Sequence, residues 1–178
     1  MDRSNPYEAA FEAYLQAHRL AYVAVDETRR VAIVDEPIKT LDFLVFAPAA
    51  RLCIDIKGRR FPGGTPQRPR RLWECWSFRE DIDGLERWAR LAGDDYRPLL
   101  VFAYRLHPEV QLPEATVDLF RYRDERYLFR AIDVEDYRQH MRVRSPRWGT
   151  VSLPTNHYRA CVRPFRDFIR AVYAEVPF

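Results

Sequence analysis

Lysine is almost missing from this chain. Of its 29 basic residues only Lys39 and Lys57 are lysine, and the rest are arginine. Such usage reflects a bias toward arginine, and keeping lysine at two nearby positions suggests that a compact ammonium is wanted there. Cysteine is scarce too: Cys53, Cys75 and Cys161 are odd in number, far apart and without a C-x-x-C pair. That argues against a disulfide framework and a zinc site and suits a reducing compartment. The histidines (His18, His107, His140, His157) are scattered with no H-x-x-x-H spacing, so a histidine-based metal centre is not expected. No glycine-rich phosphate loop leads from a strand into a helix. No apolar run approaches the roughly 20 residues that span a bilayer, and Met1–Pro6 carries no apolar signal core. A cytoplasmic protein without a membrane partner is expected. The net charge of +3 is too mild to imply a polyanion by itself.

What is present is a globular composition, 47% apolar and 14% aromatic over 178 residues. That is enough for one domain, 1–178, with a substantial core. Its centre is Lys39–Phe46 followed by Arg51–Lys57, two runs rich in β-branched and aromatic residues and therefore strands. Ala47–Ala50 suits a hairpin loop and is too short for a crossover, so the two should be antiparallel neighbours. With Phe46 opposite Arg51, Leu44 faces Cys53, Asp42 faces Asp55 and Thr40 faces Lys57. One face then carries Leu41, Phe43, Val45, Leu52, Ile54 and Ile56 and must be core. The other carries Asp42, Asp55 and Lys57. Like charges directly opposed on a sheet destabilise it, and a divalent cation reverses that sign.

Asn5-Pro6-Tyr7-Glu8 predicts a helix start, with Asn as cap, Pro at the first position and Glu closing a capping box. The helix should reach about Arg19, its stripe being Tyr7, Phe11, Tyr14, Leu15 and His18. Glu8 and Glu12 lie one turn apart beside that stripe; Glu12 suits a solvated charge as well as a functional one. Ala21–Val25 reads as a strand, and Val31–Val34 as a further short one. Gly58–Arg71 is predicted to be a basic loop containing Arg59, Arg60, Arg68, Arg70 and Arg71. Trp73–Trp76 follows as an extended aromatic stretch. Ser77-Phe78-Arg79-Glu80 is a second capping box, opening a helix to about Ala92 with Phe78, Ile82, Leu85 and Ala89 buried and Gly93 as its stop. Pro98–Tyr104 is a strand buried on both faces. Thr116–Arg123 and Arg126–Ile132 flank Asp124-Glu125 as a second hairpin. A helix from Val134 to Met141, a strand at Val151–Leu153 and a helical tail from Asn156 to Glu175, kinked or restarted at Pro164, complete an α/β chain.

Asp42 and Asp55 are placed to bind one Mg²⁺ (or Mn²⁺), with the Ile56 carbonyl and waters completing the shell. Glu8 could reach the same ion directly or through water. Lys57, two residues beyond Asp55, points the same way. It suits an electrostatic and positioning role, because adjacent carboxylates oppose the lowered pKa that a base needs. The arginine loop beginning beside this pair could guide a phosphate backbone. A plain ion pair of Lys57 with the two aspartates accounts less well for two opposed carboxylates sharing one lysine, and leaves the basic loop unexplained.

The order of elements, with Asp42, twelve intervening residues and the D-x-K triplet Asp55-Ile56-Lys57, resembles the PD-(D/E)XK nuclease superfamily, which includes type II restriction enzymes and archaeal Holliday-junction resolvases. Leu41 stands where that superfamily usually has proline. The resemblance implies a restriction-endonuclease-like core, a central mixed β-sheet flanked by helices, with Glu8, Asp42, Asp55 and Lys57 as catalytic residues. A narrower resemblance is to the HYExAFE proteins, a bacterial family known mainly from planctomycetes. It is carried by Tyr7-Glu8-Ala9-Ala10-Phe11-Glu12, Lys57-Gly58-Arg59, Trp76, Asp81 and Phe102-Ala103-Tyr104, although the family's histidine before the tyrosine is absent. Three functions follow as expectations: a Mg²⁺-dependent DNA endonuclease; an inactive nuclease-fold protein that binds nucleic acid or acts as a scaffold; and a metal-dependent hydrolase of another phosphodiester. By analogy with the fold, a homodimer is possible.

Overall fold

Asn5 opens the first helix as its sequence predicts. Its Oδ1 accepts the Tyr7 N–H at 3.1 Å and Pro6 occupies the first turn, giving α1 (Pro6–Ala17). The fold is that of a computed structural model describing residues 5–25, 41–48, 50–65, 67–113 and 115–170. The expected strand at Val31–Val34, Lys39, Thr40 and the end of the tail lie outside the described residues. After α1 come β1 (Ala21–Ala24), β2 (Phe43–Phe46) and β3 (Arg51–Phe61). Next are two short strands, β4 (Gly63–Thr65) and β5 (Arg68–Arg70), then β6 (Ser77–Phe78) and α2 (Arg79–Ala92). The second half holds β7 (Tyr96–Leu106), β8 (Leu119–Tyr122), β9 (Glu125–Asp133) and α3 (Val134–His140). It finishes with β10 (Arg142–Ser145), β11 (Thr150–Ser152), α4 (Thr155–Cys161), β12 (Arg163–Pro164) and α5 (Arg166–Ile169).

The main sheet has the order β1-β2-β3-β7-β9-β12, with β8 also paired to β9. β3 and β7 are parallel along their whole length, joined by the crossover containing α2; the other pairs are antiparallel. The β2–β3 register is the expected one, Phe46 opposite Arg51 and Leu44 opposite Cys53. A small sheet, β10-β11-β6, ties the later hairpin to the start of α2.

Helices cover both faces of the sheet. On one face Phe11, Tyr14 and Leu15 of α1 pack with Phe43, Val45, Leu52, Ile54, Ile56, Phe129 and Phe165. On the other, Ile82 and Leu85 of α2 pack with Cys53, Leu100, Phe102, Tyr104, Tyr137 and Tyr158. Each fully buried Leu or Phe contributes roughly 1.5–3 kcal/mol, so both layers are integral to stability. Asp118 pins the first layer, accepting from Tyr14 Oη at 2.7 Å and from the Arg166 N–H at 2.8 Å.

Several expectations are corrected. Leu41 joins the second layer, not the first, because β2 begins only at Phe43 and strand alternation does not extend back to it. The chain does not become a loop at Gly58: β3 runs on to Phe61. Gly58 serves close packing, since a Cβ there would lie 2.3 Å from the Tyr7 ring. Phe78 is 38% exposed, lying edge-on to Trp76 instead of joining the buried face of α2. The tail restarts as α5 after Pro164, but between the two helices Arg163–Pro164 forms an unexpected strand that pairs with Ala131 and Arg130 at the sheet edge, where proline is tolerated.

Candidate active site

Asp42 sits where the chain enters β2. Its N–H donates to the Ile54 carbonyl at 2.9 Å, and its Oδ2 accepts the Ile56 N–H at 2.5 Å. The N–H and C=O of one strand residue point to the same side, so the Ile56 carbonyl is also directed toward Asp42. Asp55 lies beside it on β3. Both aspartates are buried, at 7% and 6% exposure, because the face that carries them is roofed by α2 and is not open surface.

Three forces raise the pKa of the Asp42 carboxyl well above its ordinary value: burial first, then the charge of Asp55, and to a lesser degree that of Glu8. The Ile56 N–H and the Lys57 ammonium pull in the opposite direction. Glu8, in the first turn of α1, therefore reaches this cluster electrostatically although its helix packs on the opposite face. Asn5 Nδ2 donates to Glu8 Oε1, fixing the carboxylate at the helix start. The second glutamate is engaged elsewhere: Glu12 accepts from Tyr22 Oη at 2.9 Å.

Lys57 Nζ is clasped by Asp55 Oδ2 at 2.6 Å and by Asp81 Oδ2 at 2.8 Å. Burial alone would lower its pKa, but the two carboxylates outweigh burial and push it up to about 12. The ammonium thus stays protonated at neutral pH. Asp81 was not among the residues expected in the site. Its Oδ2 accepts the Phe78 N–H at 3.0 Å and the Ser77 hydroxyl at 2.6 Å, so the capping acid of α2 is Asp81 and not Glu80. The Ser77 box is displaced by one residue, because Ser77 is held in β6 and the helix begins after Phe78. A carboxylate at the third position of a helix whose start touches β3 was the available signal.

The expected arginines divide. Arg60, Arg68, Arg70 and Arg71 are exposed, Arg68 and Arg70 standing on the small β4–β5 hairpin. Arg59 is only 9% exposed. Its guanidinium lies 3.9 Å over the Trp76 ring and donates to the Gly58 and Trp76 carbonyls. Arg144 approaches the same ring at 5.0 Å, an aromatic–guanidinium stack whose β10 half was not foreseen.

Among the described residues, no three His, Cys, Asp or Glu side chains are gathered closely enough to hold an ion as they stand. The chemistry of the donor set nonetheless fits a hard divalent cation. Two buried carboxylates, one on β3 and one at the entry to β2, repel one another, a third adds to the repulsion, and a carbonyl is directed toward them.

No family model matches the chain, and no curated protein matches it. A solved structure does: a Holliday junction resolvase from the archaeal hyperthermophile Archaeoglobus fulgidus, with a TM-score of 0.54 at 12% identity, covering 92% of this chain and 98% of that one. The fold is restriction-endonuclease-like. Within that fold the central mixed sheet and flanking helices are as expected, whereas nothing supports the narrower HYExAFE resemblance. Among the described residues, no helix is long and apolar enough to cross a membrane.

Proposed function

We propose that this chain is a metal-dependent nuclease that hydrolyses phosphodiester bonds of nucleic acid, acting as an endonuclease on DNA. One observation carries the proposal: Asp42, Asp55 and Glu8 bear on one another at the end of the β2–β3 hairpin, with the protonated Lys57 beside them. The likeness to a resolvase carries the fold alone, and the nature of that neighbour agrees with a nucleic-acid substrate.

Asp42 and Asp55 would hold Mg²⁺ or Mn²⁺, with the Ile56 carbonyl and Glu8 contributing. Such an ion lowers the pKa of a bound water and neutralises charge on a phosphoryl group. Lys57 keeps its proton on Nζ and offers it as a hydrogen-bond donor to a phosphate oxygen or to the attacking water, stabilising negative charge as it develops. It does not act as the base. Asp81 is a positioning residue: by holding Lys57 it ties the ammonium to the start of α2. Exposed Arg60 near the end of β3, with Arg68, Arg70 and Arg71 beyond it, would contact the backbone of a bound duplex.

The proposal expects supercoiled plasmid or branched DNA to be cut in the presence of Mg²⁺ or Mn²⁺. Asp55→Ala and Lys57→Ala should abolish cutting while the protein stays folded; undiminished cutting by both variants sinks it. A second reading, a binding protein without turnover, draws on the Lys57 clasp, because Asp55 is already paired with a cation. Calorimetric titration with Mn²⁺ separates the two: saturable uptake lost in Asp42→Asn supports the enzyme, and no uptake supports the binder.

A further inference from the structure

The segment from Arg142 to Gly149 contains three arginines and no acidic residue. It forms β10, a turn and the entry to β11, with Gly149 at φ 59°. Arg142, Arg144 and Arg147 are all exposed, and among the described residues none of them makes an ion pair. Trp148 at the turn is 65% exposed, the most exposed large apolar side chain among the described residues, and Val143 follows at 58%. The Arg147 guanidinium lies 5.2 Å from the Trp148 ring. Three guanidinium groups and one open indole match what single-stranded nucleic acid asks for, charge for its phosphates and a flat face for a base.

The placement is fixed, too. Thr150 pairs with Phe78 and Val151 with Ser77, while the Arg79 N–H donates to the Gly149 carbonyl at 2.9 Å. Ser77 in turn donates to Asp81, which holds Lys57. Arg144 reaches back onto Trp76, which rests on Arg59 two residues beyond Lys57. The hairpin is therefore braced directly against the rim of the candidate active site, through the residues that position its lysine.

We propose that the β10–β11 hairpin is a second nucleic-acid-binding element, gripping phosphates with Arg142, Arg144 and Arg147 and stacking an unpaired base on Trp148. The substrate class it selects is nucleic acid with an unpaired base beside the scissile phosphate: single-stranded, forked or branched. The inference rests on the nucleic-acid reading of the site, but not on turnover.

The test is fluorescence anisotropy of the full chain in EDTA with a labelled single strand, a blunt duplex and a forked duplex of matched sequence. Trp148→Ala should weaken binding to the single strand and the fork about tenfold and to the blunt duplex less than twofold, and Trp148→Phe should restore most of the loss. Arg144→Ala and Arg147→Ala should weaken all three, each reducing the slope of log affinity against log salt by about 1. If the wild type binds none of the three nucleic acids, the reading of the whole site fails and the hairpin proposal with it. If it binds and the hairpin variants bind equally well, the hairpin proposal alone is overturned. Polyglutamate serves as a mimic of an acidic protein partner: binding that also falls tenfold in Trp148→Ala overturns base stacking in favour of a protein.

Discussion

Asp42→Asn should stabilise the protein while destroying its chemistry. The wild-type carboxylate is buried at 7% exposure and its ionisation is opposed by burial, by Asp55 and by Glu8. Two carboxylates about 5 Å apart repel by roughly 3 kcal/mol at an effective dielectric constant of about 20. The Ile56 N–H and Lys57 offset part of this, leaving a net cost of about 1–2 kcal/mol. Asparagine removes the charge and keeps an oxygen for the Ile56 N–H. For a chain of this size that gain corresponds to a rise in Tm of about 3–6 °C. The sign depends on pH. The pKa of Asp42 is raised in the folded state from an ordinary 3.8, so folding is favoured below 3.8 and that advantage is lost as pH rises through the folded value. The variant should therefore match the wild type near pH 3 and surpass it increasingly at neutral pH. Adding Mn²⁺ should raise the Tm of the wild type and leave that of Asp42→Asn unmoved. A variant less stable than the wild type at neutral pH in EDTA would refute the repulsive-cluster reasoning.

Lys57 supplies the opposite case. Its pKa rises from 10.5 to about 12 on folding, so its ion pairs contribute stability that is complete below 10.5 and disappears as pH climbs through about 12. Lys57→Met should lack roughly 2 kcal/mol of the wild type's loss across that window, measured by urea unfolding at successive alkaline pH values. Gly58→Ala drives a methyl group into the Tyr7 ring and should cost about 1–3 kcal/mol. It should also depress cleavage more than binding, because Glu8 adjoins Tyr7. Tyr14→Phe removes the hydroxyl that serves buried Asp118 and should cost about 1–3 kcal/mol in thermal unfolding without altering cleavage at permissive temperature.

Local signals decided much of this chain. The Asn5-Pro6 start of α1 and the hairpin register from Phe46 opposite Arg51 to Phe43 opposite Ile54 follow from cap chemistry and strand alternation, which need no distant partner. The pairing of a carboxylate cluster with Lys57 was legible for the same reason. What was not legible depends on packing across the chain. Periodicity marks the Asp55 face as polar, but only the placement of α2 makes it buried and brings Asp81 to Lys57. Glycine at 58 suggests a turn, yet its purpose is the close approach of Tyr7 from a helix fifty residues earlier. Arg163–Pro164 becomes a strand because β9 offers it an edge, against its own local preference. The guanidinium stack on Trp76 joins residues from three separate segments and has no sequence signature.

The most direct measurement is anomalous diffraction from crystals grown in saturating Mn²⁺. A peak bounded by Asp42, Asp55 and the Ile56 carbonyl, at about 2.0–2.3 Å from their oxygens, is the expected result, with the carboxylate of Glu8 turned toward it. A protein that cuts DNA under the same conditions yet shows no metal there, Lys57 remaining clasped between Asp55 and Asp81, would contradict the assignment of this hairpin as the catalytic metal centre.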